Sequence, residues 1–73
     1  MIGNVESARQ ISELMFSVSK RLSETLDIAR PRFSEEEFHK YAMGTGRILA
    51  DIMYEVLNPI FAKHPSIEPI GWK

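Results

Sequence analysis

Tyr41 to Ala50 reads YAMGTGRILA. Two glycines stand two residues apart inside a segment otherwise patterned as a helix, so their role decides the fold. A phosphate-cradling loop of the Walker type needs G-x-x-x-x-G-K-[ST], and a dinucleotide fingerprint needs G-x-G-x-x-G behind a strand. Here Gly44-Thr45-Gly46 is followed by Arg47 and no strand pattern precedes it. A turn at the glycines would give helices over about 35–43 and 47–57, a helix-turn-helix layout. Phase argues against that turn. Phe38, Tyr41 and Ala42 before the glycines and Thr45 between them share one stripe with Ile48, Leu49, Ile52, Met53 and Val56 after them, at about 100° per residue. The spacing therefore predicts one continuous helix over 35–57. Within it Ala42, Gly46 and Ala50 form a row of small residues spaced by four, which lets another helix backbone come close. Gly44 lies off that row, beside Asp51 and Glu55.

Upstream, Ser34 and Glu37 match the S-x-x-E capping box, and Phe33 and Phe38 stand where a hydrophobic staple would put them. Arg30-Pro31-Arg32 precedes them, and proline disfavours helix for the residue before it. A connection over 30–34 is short enough to favour antiparallel neighbours. Before it, 4–29 reads as an amphipathic helix with Asn4 as N-cap and Glu6 placed against the helix dipole. Its buried stripe is predicted as Ile11, Leu14, Met15, Val18, Leu22, Thr25, Leu26 and Ala29, with Ala8 at the edge. Ser7, Ser12, Ser17, Ser19 and Ser23 read as scattered residues of a solvated face.

Downstream, Asn58-Pro59 interrupts the pattern. A new short helical turn over 59–63 is expected, with a kinked continuation as the competing possibility. The tail over 64–73 contains Pro65 and Pro69 and is expected to be extended, laid either on its own chain or on a partner through Ile70 and Trp72.

Composition sets the outer limits. With 73 residues the chain is one domain, 1–73, and a domain this small is marginal by itself. Without cysteine it has neither disulfides nor thiolate metal sites, which fits a cytoplasmic location. The net charge of −1 gives no general attraction to nucleic acid. Arg30, Arg32, Lys40 and Arg47 are offset by Asp27 and Glu35–Glu37. No apolar run approaches the roughly 20 residues of a membrane span, and the MIGNVESARQ start lacks the features of a secretory signal.

Few residues carry chemistry. Glu36 and His39 have the Glu-x-x-His spacing of carboxylate bundles, but they lie off the main stripe in a first helical turn. They remain the metal candidates, with Tyr54 as a possible third member of a ligand site. No nucleophile is placed beside His39 or His64, and no cofactor is expected.

The expectation is an all-α chain: an antiparallel two-helix hairpin with a short helical turn and a tail. Its apolar arc is wider than one partner helix needs, which points to a homodimeric four-helix bundle. The expected interface comprises Ala42, Met43, Gly46, Ala50, Met53, Tyr54, Leu57, Phe61 and Trp72. In function this is a non-enzymatic assembly or interaction module. The alternatives are a metal- or small-ligand-binding bundle and a small DNA-associated regulator using a glycine turn.

Overall fold

The computed structural model of the protein describes residues 3–72. Residues 1, 2 and 73, expected at the ends of the domain and tail, lie outside the described residues. Among those described, the chain is helical and has no strand. Helix α1 spans Val5–Ala29, α2 spans Glu35–Asp51 and a short α3 spans Asn58–Lys63. A π-helical segment, Ile52–Leu57, joins α2 to α3, and a 3-10 turn follows at Pro65–Ile67.

Local chemistry accounts for the helix ends. The Asn4 side chain accepts the Ser7 N–H at 3.0 Å, satisfying one of the free donors of α1. At the other end the chain tightens, with the N–H groups of Arg32 and Phe33 both reaching the Ala29 carbonyl. The Arg32 guanidinium donates to the Ile28 carbonyl at 3.2 Å, covering another of the last acceptors. The capping box of α2 is complete: Ser34 Oγ accepts the Glu37 N–H, and Glu37 Oε1 accepts the Ser34 N–H. The aromatic contacts there differ from a simple Phe33–Phe38 staple. Phe33 meets Tyr41 edge-on at 5.7 Å, and the Arg30 guanidinium lies 4.6 Å from the Phe38 ring centre.

Helix α2 runs straight through Gly44 and Gly46, as the unbroken stripe predicts, and the helix-turn-helix layout is absent. The ladder changes at Asp51 instead. Pro59 has no N–H, and in a regular helix its ring would press on the carbonyl four residues back. The turn before it widens, and the Asn58 N–H bonds the Met53 carbonyl five residues back. Helical backbone thus continues from Glu35 to Lys63, so the separate turn expected after Leu57 is instead a continuation.

That widening moves side chains. One extra residue in the turn rotates everything after it by about 100°. Leu57, one step beyond the predicted stripe, takes the inward place that Val56 would have held. Leu57 is 2% exposed and Ile60 is fully buried. Leu57, Ile60 and Phe61 pack with Ala8 as the core, against Ile11, Met15, Ile52, Val56, Ile67 and Trp72. Small residues on α1, Ala8 and Ser12, are buried here, which turns Leu14 and Val18 outward. Ser12 is therefore not on a solvated face; its hydroxyl is satisfied by the Arg9 carbonyl at 2.9 Å.

Near the connection the two long helices are tied by Tyr41, whose hydroxyl bonds Thr25 Oγ1. The molecule measures 45 × 20 × 16 Å, with a radius of gyration of 14.8 Å. A compact chain of this length has a radius of gyration of about 11 Å.

Candidate interaction surfaces

Of the residues expected to meet a partner, two are in the chain's own core. Leu57 and Phe61 are each 2% exposed, because the π segment turns this stretch inward. Trp72 is also held by its own chain. Its indole N–H donates to Asn58 Oδ1 at 2.7 Å, and its ring lies edge-on to Phe61 and Phe16 at 5.1 and 5.6 Å. The tail is not simply extended: a 3-10 turn and the positive φ of Gly71, 79°, bend it back over the molecule.

The tail leaves two grooves beside Trp72. One, of about 460 Å³, runs between Met53, Tyr54, Asn58, Ala62, Glu68 and Trp72. A smaller one, of about 210 Å³, is lined by Phe16, Ser19, Leu49, Ile52, Met53, Leu57 and Trp72. Farther along α2, Ala42, Met43, Gly46 and Ala50 line an open hollow with His39 and Arg47. A methyl group placed on Gly46 would meet no atom within 4 Å. Among the described residues no other helix therefore enters the gap that glycine leaves.

The opposite side carries a surface that periodicity assigned to the core. Leu14, Val18 and Ile48 were expected inside, yet they are 64%, 45% and 51% exposed. Ile28 and Phe33 are exposed as well, sharing a hollow with Thr25 and Tyr41. The sign of this in the sequence was the breadth of the apolar arcs, which exceed what one partner helix covers.

The ligand candidates do not converge. Glu36 pairs with Lys40 at 3.7 Å on the surface, and His39 is exposed. Tyr54 is 18 residues from Glu36, about 27 Å along a helix at 1.5 Å per residue. Among the described residues, no three His, Asp or Glu side chains gather where they could share a metal ion. Every buried side-chain polar atom described has a partner. One carboxyl is perturbed. The Ser34 backbone N–H, and after it the Ser34 hydroxyl, hold the Glu37 carboxyl below its ordinary range; this is a capping effect, with no catalytic cleft around it. Among the described residues no helix is long and apolar enough to cross a membrane.

Compared with protein-family models, curated proteins and solved structures, the chain matches none of them.

Proposed function

We propose that the protein is a non-enzymatic assembly module: an antiparallel helical hairpin, two copies of which pair into a four-helix bundle. One observation carries this reading. The chain exposes 5505 Å², whereas a compact monomer of 8.4 kDa exposes about 4,600 Å². The excess, about 900 Å², is close to the roughly 800 Å² that each partner gives up in a standard protein interface. Much of it is apolar, since large side chains such as Leu14, Ile28, Tyr54 and Ile48 are more than half exposed.

The hairpin arrangement is supported by contacts at both ends. Thr25 meets Tyr41 beside the connection, and Ala8 meets Leu57, Ile60 and Phe61 at the far end. A single hairpin forms only one layer, and a second layer is what normally closes a core. A cysteine-free chain of this kind suits a reducing cytosol, where we place it.

Sedimentation equilibrium at micromolar concentration tests the reading. A mass of twice 8.4 kDa is the expected result. A monomer across the whole range removes the assembly reading.

A further inference from the structure

We infer that the second copy seats on the face of Leu14, Val18, Ile28 and Ile48, not on the small-residue row of Ala42, Gly46 and Ala50. The inference rests on the assembly reading above and gives it a surface.

Three observations favour this face. The first is register. The Thr25–Tyr41 hydrogen bond puts those residues at one level on neighbouring helices. Val18 is seven residues before Thr25, and Ile48 is seven after Tyr41. Seven residues is two turns along the same helix face. In antiparallel helices Val18 and Ile48 therefore stand side by side, on the side where Thr25 meets Tyr41. Leu14 continues the face by one turn. Ile28 extends it the other way, sharing a hollow with Thr25, Phe33 and Tyr41. Both helices thus offer large apolar side chains to the same side, as a bundle layer requires.

The second observation is cover. The tail folds onto the side of Phe16 and Met53, where Trp72 packs. Its hydrogen bond and ring contacts among the described residues go to Asn58, Phe16 and Phe61.

The third is spacing and shape. On α1 the row Ile11, Leu14, Val18, Arg21, Thr25, Ile28 has the alternating three-and-four spacing of a helix–helix seam, with one charge, a base. On α2 the row Glu37, Tyr41, Gly44, Ile48, Asp51 has the same spacing, with two acids. The two rows match in spacing when α1 of one copy lies over α2 of the other. With the two-fold axis along the helices, Arg21 then crosses near Gly44. A methyl group on Gly44 would meet nothing in its own chain, so the space there is open to that arginine. This accounts for a glycine whose helical cost, about 1 kcal/mol against alanine, nothing within one chain explains.

Sedimentation velocity on Val18→Glu and Gly46→Leu separates the two faces, with circular dichroism recording helix content. The expected result is a helical monomer for Val18→Glu and an intact dimer for Gly46→Leu. A dimeric Val18→Glu, or a monomeric Gly46→Leu, overturns the placement. If the unmodified chain is itself a monomer, the assembly reading fails first. Should Val18→Glu lose its helical signal, Gly44→Leu decides, since nothing in its own chain fills that space. Gly44→Leu should keep its helix content and weaken the dimer by about tenfold, as a side chain forced into the seat of the partner's arginine does. An unweakened dimer overturns the proposed face.

Discussion

Ser34 and Glu37 hold the start of α2 through two reciprocal hydrogen bonds that depend only on residues three apart. Replacing Ser34 by alanine should cost about 1 kcal/mol in chemical denaturation, the usual worth of an N-cap. Glu37 adds a pH dependence. Its folded pKa is lowered, so its contribution is complete above the ordinary carboxylate range and is lost as pH falls through the lowered value. The gap in melting temperature between the unmodified chain and Glu37→Ala should therefore be steady near neutral pH and close in acid. A gap that widens on acidification would contradict the assignment. At Gly46 the added methyl group meets nothing within 4 Å, and the backbone is ordinary helix. Gly46→Ala should accordingly stabilise the chain by about 0.5–1 kcal/mol, without disturbing the dimer if the other face is the interface. These devices are legible in sequence because each depends on neighbours within one helical turn.

At the scale of elements, the π segment decides which side chains enter the core. Leu57→Ala should cost about 2–5 kcal/mol, as a buried leucine does, while Tyr54→Ala should stay within about 1 kcal/mol at its exposed position. Equal losses in a denaturant series would mean that the rotation of phase at Ile52–Leu57 is absent. Asn58-Pro59 marks an interruption in the sequence. It does not say whether the helix will stop, kink or widen, since all three satisfy a residue without an N–H. The widened turn prevails here alongside the burial of Leu57, Ile60 and Phe61 against Ala8. The same packing sets the tail. Trp72 is the sole tryptophan, so its fluorescence reports on the Asn58 bond directly. Asn58→Ala should shift its emission to longer wavelength as the indole is released into water; an unmoved spectrum would show that the ring contacts with Phe16 and Phe61 suffice.

At the scale of the molecule, a 45 Å slab with a small core has little to stabilise it alone. If pairing supplies the second layer, unfolding is coupled to dissociation, and the melting temperature should rise with protein concentration. A melting temperature constant over a hundredfold dilution would place the stability within one chain. The breadth of the apolar arcs was visible in the sequence as a surplus. Which part of that surplus faces outward was not, because a helical wheel gives angles within one helix and no rotation of one helix about another.

The helical class, the continuity of α2 through Gly44 and Gly46, and the caps at Asn4 and Ser34 follow from the sequence by itself. Each rests on periodicity or on hydrogen bonds within a few residues. The inward turn of Leu57 and Phe61, the burial of Ala8 and Ser12, the exposure of Leu14, Val18 and Ile48, and the seat of Trp72 were decided only by the tertiary structure. The reason is physical. Ala8 is small enough for the core of Leu57, Ile60 and Phe61 to close over it, and that contact fixes the rotation of α1. The larger apolar residues are then left on the outside.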